Sequence, residues 1–338
     1  MNTVGPDPQY RSHMNESVDT EGGTTPLVSA IIPTYGRNER LSSAIQSVLE
    51  QTYDNIELLV VDDASPTPVR ETLDSFDPTV GNSFRILRHD KNRGANAARN
   101  TGIRAADGRY VAFLDDDDQW DETKITKQVQ AFQESGSETG VVYTGVRKDG
   151  PEGTTVSTPV ASGDVMTDLL TGTNFGQFSS VMVDTTVIET AGLPDERLPA
   201  WQDREWFFRL AQHAHFQPVR ETLTYRQTGL PDSITKKFEE KRDVAYPLLI
   251  SKHDWVAAEY GLYYERMFVA TMRRSLARSA VRAGRYREAR KYFFLSALAN
   301  PLYWSVYPHL VASLGGRWSY ESIASLRQKV TNGPASGT

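Results

Sequence analysis

Cysteine is absent from the 338 residues. That excludes a disulfide framework, a thiolate zinc site and a thiol nucleophile, and it fits a reducing compartment. No run approaches the roughly 18 consecutive apolar residues of a membrane-spanning helix. Residues 1–26 are polar and lack the apolar centre of a signal peptide, so they read as a disordered tail on a cytoplasmic protein, with a second short tail over residues 331–338. Positive charge is in deficit as well: 37 Lys and Arg against 43 Asp and Glu leave a net charge of −6, which gives no overall attraction to nucleic acid. The deficit is uneven. From Glu265 to Arg290 there are eight arginines and two glutamates, so one end of the chain is basic.

What the sequence does have is a short apolar run, Tyr110 to Leu114, that ends in four consecutive carboxylates, Asp115 to Asp118. Five apolar residues without alternation are too few for a helix and suit a strand buried on both faces. The acids then emerge at its carboxyl end, where an open α/β sheet binds its ligands. Adjacent carboxylates repel unless a cation or donors neutralise them, and hard Mg²⁺ or Mn²⁺ suits one or two carboxylates completed by phosphate oxygens and water. The other reading is a solvated acidic turn capping a helix that starts near Asp121, with Asp118 as the capping residue.

The same pattern of strand then polar rim recurs. Leu27–Ile32 closes in Pro33, Thr34, Tyr35 and Gly36. Leu41, Ala44, Ile45, Val48 and Leu49 follow at helical spacing, and Ile56–Val61 runs into Asp62 and Asp63. Phe84–Leu87 is a weaker strand, Gly94–Ala106 a helix of small residues able to lie close to the sheet, and Gly108 its expected C-cap. Strand–helix alternation implies right-handed crossovers and parallel pairing, with Tyr35, Asp63 and the acids on one rim. Further on come a helix over 122–132, a strand at 141–144, a Thr/Ser/Gly-rich loop from 154 to 174, a strand at 179–183, and a helix with Asp203 in its first turn and Trp206, Phe207 and Leu210 buried. From about 236 the pattern is helical, and 283–301 resembles one tetratricopeptide-like hairpin.

Four segments in order, Val28–Tyr35, Val60–Ser65, Asn92–Gly102 and Phe113–Asp118, followed by Gln202-Asp203 before an aromatic helix, resemble the family 2 nucleotide-sugar glycosyltransferases, which are inverting and of GT-A fold. The resemblance covers about Leu27 to Tyr225. It implies an α/β fold with a GT-A (Rossmann-like) mixed sheet flanked by helices over 27–235, a nucleotide-binding half at 27–120, an acceptor half at 121–235, and a helical appendage at 236–330. It further implies that Pro33, Thr34 and Tyr35 line a base pocket and that Asp63 accepts from the base. Arg93 and Arg99 would lie beside the nucleotide, Asp115 or Asp116 would hold ribose or sugar hydroxyls, and Asp117 would ligate a divalent Mn²⁺ or Mg²⁺. Asp203 would be the base that takes the acceptor proton, with His213 and His215 competing by chemistry alone. Arg226 is a candidate for the diphosphate.

The expected partners are a nucleoside diphosphate sugar, UDP-type, and a glycan or lipid-linked acceptor. The Gln-x-x-Arg-Trp signature of processive synthases is missing after Asp203, so transfer of a single sugar is expected. A nucleotidyltransferase and a catalytically inactive helical scaffold are the alternatives. The first usually needs a glycine-rich basic loop after strand one, and Pro33–Arg37 is a poor one. Arg274, Arg278 and Arg282 recur every four residues and share a helical face. With the aromatic stretch 301–311 nearby, they suggest that the basic end rests on an anionic membrane, peripherally.

Overall fold

The computed structural model describes residues 25–72, 84–151, 153–173, 175–228 and 238–316. Both tails, apart from Thr25 and Pro26, lie outside the described residues. In chain order the elements are β1 (Val28–Thr34), α1 (Asn38–Leu49), β2 (Ile56–Asp62), α2 (Val69–Thr72), β3 (Phe84–Arg88), α3 (Ala95–Ala105), β4 (Tyr110–Phe113), β5 (Asp118–Trp120), α4 (Lys124–Glu134), β6 (Thr139–Gly150), β7 (Gly153–Ser157), α5 (Met166–Thr171), a 3₁₀ turn (Phe178–Ser180), β8 (Val181–Asp184), α6 (Thr185–Ala191), α7 (Gln202–Leu210) and β9 (His215–Gln227). The segment 154–174, expected as loop, therefore carries β7 and α5.

The strands form one mixed sheet in the order β3-β2-β1-β4-β8-β6-β9-β5, with β7 hairpinned on β6. Its first four strands are parallel, as the alternation implies, and every residue of β1, β2 and β4 is buried. Antiparallel β8 then joins β4 and turns the sheet into a mixed one. A core of Val28, Ala30, Ile32, Leu58, Val60 and Ala112 packs under Leu41, Ala44, Ile45 and Val48, the α1 stripe read from the sequence.

The helix of small residues does lie close. A Cβ at Gly102 on α3 would meet Ile31 Cγ2 at 2.5 Å. Gly108 is not the C-cap of that helix: Ala106 takes the position with extended backbone. Gly108 is needed instead because a Cβ there would fall 2.7 Å from the Ser29 backbone nitrogen.

The chain divides into two compact units, one comprising residues 1–166, 174–197 and 202–230, the other 167–173, 198–201 and 231–338. The second unit is helical. It contains a π-turn (Lys241–Ala245), α8 (Tyr246–Glu259), α9 (Leu262–Arg282), α10 (Tyr286–Ala299), a 3₁₀ turn (Trp304–Val306) and α11 (Tyr307–Leu314). Phe238, Leu276, Ala280, Ala289, Phe293 and Val306 form its core. Of the arginine face at 274, 278 and 282, Arg274 packs within the unit, as does its neighbour Arg273. Arg273 donates to Tyr246 Oη at 3.1 Å and to the Leu295 carbonyl at 3.0 Å, and Arg274 donates to Tyr303 Oη at 3.3 Å. Among the described residues no helix is long and apolar enough to cross a membrane.

Candidate active site

The carboxyl ends of β1, β2 and β4 carry the rim. At β1, Pro33 and Thr34 are buried and Tyr35 is 49% exposed. At β2 the two aspartates divide their work. Asp62 takes the Ser65 and Val69 amides at 2.8 and 3.2 Å and the Arg88 guanidinium. Burial raises its pKa, but these donors outweigh burial and hold the carboxyl below its usual value. Asp63, 2% exposed, accepts from His89 Nδ1 at 2.7 Å and the Arg93 amide at 2.8 Å on Oδ1, and from the Gly94 amide at 2.7 Å on Oδ2. It thus clamps the entry to α3. The Arg93 guanidinium points elsewhere, to Glu196 at 3.2 Å.

The four acids do not act as a unit, because successive residues of the tight turn face different neighbours. Asp116 turns to β1, accepting from Thr34 Oγ1 at 2.7 Å and Arg37 Nη1 at 3.2 Å. Asp117 shares Arg37 Nη1 at 3.1 Å. Asp115 accepts from Arg99 Nη2 at 2.6 Å. Asp118 is buried in β5, directly opposite Arg226 of β9. It takes Arg226 Nε at 3.1 Å, Ser179 Oγ at 2.6 Å and Gln177 Nε2 at 3.0 Å.

Asp118 is therefore not the cap of the next helix. That helix begins at Lys124, and Asp121 binds the Thr123 amide and hydroxyl locally. Burial first, and then the neighbouring Asp115, push the Asp118 carboxyl up to about 7, against the pull of Arg226 and Ser179. Asp116 is likewise raised by burial, opposed by Thr34 and Arg37.

One oxygen each from Asp115, Asp117 and Asp118 lies within 4.8 Å of the others. Three hard oxygen donors at that spacing fit Mg²⁺ or Mn²⁺. Arg37, Arg99 and Arg226 offset three of the four negative charges, so much of the neutralisation comes from the protein itself. Arg37, Gln177, Ser179 and His89 were not among the residues expected at the site.

Arg99 joins the acids to α7. Buried over the Phe178 ring at 3.9 Å, it also donates to Asn96 Oδ1 and Gln202 Oε1, each at 3.1 Å. Gln202 opens α7, and Asp203 follows, half-buried, its Oδ1 accepting from the Arg204 amide at 2.7 Å. Behind it Glu205 and Arg209 pair at 2.8 Å, and Arg209 and Trp206 hold the carbonyls of residues 191–193. Among the described residues the two non-glycine positions with positive φ are Ala64, just after Asp63, and Trp201, just before Gln202. Strain of this kind concentrates where surrounding structure dictates a side chain's aim. His213 is exposed and His215 pairs with Glu138 at 3.3 Å, so neither joins this network.

Comparison with known proteins identifies the family and the fold. The model of glycosyl transferase family 2 matches residues 29–176. A proposed teichuronic acid biosynthesis glycosyltransferase of Bacillus subtilis, TuaG, is 31% identical over 174 residues, covering 51% of this chain and 68% of TuaG. The Escherichia coli UDP-Glc:α-D-GlcNAc-diphosphoundecaprenol β-1,3-glucosyltransferase WfgD is 42% identical over 103 residues, covering 30% of this chain and 40% of WfgD. The fold is shared with Staphylococcus aureus TarS 1–349 in complex with UDP, at TM-score 0.60 and 15% identity, covering 90% of each chain. It is shared as well with the Pyrobaculum calidifontis mannosyltransferase PcManGT in complex with GDP-Man and Mn²⁺, at TM-score 0.53 and 16% identity, covering 95% of this chain and 90% of that one. The chain belongs to glycosyltransferase family 2 and is a glycosyltransferase of GT-A fold.

Proposed function

We propose that the chain is an inverting, metal-dependent enzyme that moves one sugar from a nucleoside diphosphate sugar, UDP-type, to a hydroxyl of a glycan or lipid-linked acceptor. The observation that carries this reading is the 115–118 turn, where three carboxylates converge within 4.8 Å at the rim that also holds Asp63. Family membership sets aside the nucleotidyltransferase alternative. UDP in the TarS structure and the diphosphoundecaprenol acceptor in the name of WfgD support the donor and acceptor classes.

Asp117, with Asp115 or Asp118, would hold the divalent ion. When bound, the ion would offset the negative charge that grows on the departing diphosphate. The exposed Tyr35 ring offers a face to the base, with Pro33 and Thr34 behind it. Asp63 would accept from the base through the less occupied of its two oxygens. The Arg93 amide keeps Asp63 in place, and Arg99 keeps Asp115 in the turn. In the transfer step an acceptor oxygen bonds to the anomeric carbon while the bond from that carbon to the diphosphate breaks. The hydroxyl proton passes to Asp203, and the electron pair leaves with the nucleoside diphosphate. Attack opposite the leaving group inverts the anomeric configuration.

The test is transfer from a panel of nucleotide sugars, with Mn²⁺ and with EDTA, the product configuration read by NMR. Undiminished transfer in EDTA, or retained configuration, overturns the metal-dependent inverting reading.

A peripheral membrane contact of the second unit fits a lipid-linked acceptor. Leu298, Leu302 and Trp304 are 65, 65 and 74% exposed at the end of α10 and just beyond it. The last turns of α10 are joined to the first half of α9 by the Ser296 bond to the Ala270 carbonyl at 2.6 Å, and Leu262 and Tyr263 at the start of α9 are also exposed. From Leu262 to Gly316 nine basic residues face two acidic ones. Apolar side chains would be idle against a soluble polyanion, whereas apolar and aromatic groups with basic ones suit an anionic bilayer surface. Flotation with phosphatidylglycerol vesicles at low salt checks this: binding should fall in Leu302→Ser/Trp304→Ser, and a wild-type protein that stays unbound refutes it.

A further inference from the structure

His89 lies just past β3 and takes no part in the transfer described above, yet both of its ring nitrogens are engaged. Nδ1 is 2.7 Å from Asp63 Oδ1 and Nε2 is 2.8 Å from Thr101 Oγ1 on α3, and the residue is 8% exposed. The chemistry fixes one proton. A carboxylate only accepts, so Nδ1 donates to Asp63, while Nε2 bonds to the Thr101 hydroxyl, a group able to donate or accept.

The neighbouring charges are committed to other partners. The Arg88 guanidinium goes to Asp62 and the Ser65 carbonyl, and the Arg93 guanidinium goes to Glu196. Asp63 is thus the charged group bonded to the ring. A carboxylate has about four acceptor positions. His89 and the Arg93 amide fill those on Oδ1, and the Gly94 amide fills one on Oδ2. One position on Oδ2 is left over, and its direction is set by the donors that pin the other three.

We propose that His89 is a positioning residue for the donor nucleotide: by bridging Asp63 to Thr101 it locks the Asp63 carboxylate with one Oδ2 acceptor position aimed at the base. This rests on the reading of Asp63 as the acceptor for the base N–H. His89 touches no reacting atom, so its loss affects donor binding and leaves the chemical step alone. Position 64 adds to the constraint, since Ala64 sits at φ 62° and ties the direction of Asp63 to a backbone that does not relax easily.

Two near-isosteric variants separate the bond from mere bulk. In His89→Asn the amide nitrogen falls near Nδ1 and keeps the donor to Asp63. In His89→Gln the amide reaches the Nε2 position, and the donor to Asp63 is lost. UDP affinity by calorimetry and donor KM and kcat with Mn²⁺ are measured on the full chain, with thermal melting beside them. The expected result is a roughly tenfold weaker UDP affinity and higher donor KM in His89→Gln, the size of one hydrogen bond to a charged group. His89→Asn should stay within about twofold of wild type on the same scale, and kcat should hold in both. Equal effects of the two variants, or a loss confined to kcat, overturn the role of His89. Asp63→Asn tells the two ideas apart. If it weakens UDP binding while His89→Gln does not, His89 alone is misassigned; if it leaves UDP affinity unchanged, the reading of Asp63 falls and the proposal with it.

Discussion

Arg99 Nη2 meets Asp115 Oδ1 at 2.6 Å while the other terminal nitrogen of the same guanidinium meets Gln202 Oε1 at 3.1 Å, so one buried side chain ties the acidic turn to the start of α7. The guanidinium is planar and always charged, and its fixed fork serves both partners at once. Lysine, a point charge with one nitrogen, reproduces only one of these contacts.

Replacing Arg99 with Met should therefore cost about 1–3 kcal/mol of stability, the penalty for leaving the partners of a hydrogen-bonded charge unpaired when one of them, Asp115, still reaches solvent. Arg99→Lys should recover part of the stability and little of the transferase activity, because Gln202 and hence Asp203 lose their tether. Urea denaturation with parallel transfer assays measures both. Full activity in Arg99→Lys would show that the tether to α7 is dispensable.

With Asp118 as a ligand of the proposed metal, binding should depend on pH. Its carboxyl, pushed up to about 7 mainly by burial, must shed a proton before it can ligate. Apparent metal affinity should therefore rise about tenfold per pH unit up to pH 7 and level off above it. The sign for stability of the metal-free protein is the opposite. The folded-state value lies above the ordinary carboxylate value, so the native state binds the extra proton, and stability falls as pH rises from about 4 through 7. Asp118→Asn should flatten both profiles. Isothermal titration with Mn²⁺ at pH 6, 7 and 8 reads the first, and an affinity independent of pH in the wild type would remove Asp118 from the ligand set.

Asp203→Asn should keep nucleotide binding and lose transfer by roughly 10²–10⁴-fold, the range of general-base catalysis. Asparagine can still accept from the Arg204 amide through its oxygen, so α7 should start as before. UDP affinity by calorimetry, set beside single-turnover transfer, separates the two effects. Unchanged transfer would move the base elsewhere.

The sheet and the identity of its rim were legible because they depend on local pattern. Buried strands announce themselves as short apolar runs, and β1, β2 and β4 are buried at every residue. The wiring of the rim was not legible, since it depends on partners far apart in sequence. Arg99 finds Gln202 across 103 positions, and Arg226 finds Asp118 across 108. The acid run misleads for a related reason. Four identical residues look equivalent in sequence, yet the turn sends Asp116 to Thr34 and buries Asp118 opposite Arg226. Gly108 carries the same lesson: a glycine after a helix reads as a cap, and only the proximity of Ser29 shows that it is a matter of space.

Lys124 offers a last test of how the core beneath the rim is balanced. It is fully buried, with its Nζ 2.7 Å from Gln128 Oε1 and 4.0 Å from the centre of the Trp120 ring. Desolvation holds its pKa well below the ordinary lysine value. Since the unfolded chain keeps the higher value, it binds the proton more tightly than the native state, and stability should increase as pH rises from the depressed value toward 10.5. A methionine here keeps the length and contact with Trp120 while removing the desolvated amine, at the loss of one bond to Gln128. Lys124→Met should therefore be close to wild type in stability at pH 7 and should lack the rise toward alkaline pH. Gln128 still donates to the Val142 carbonyl at 2.8 Å, so the helix keeps its anchor on β6. Chemical denaturation at pH 6, 7.5 and 9 decides the matter: a variant several kcal/mol less stable than wild type, with the wild-type pH slope intact, would mean that the amine is charged and paired in the folded protein.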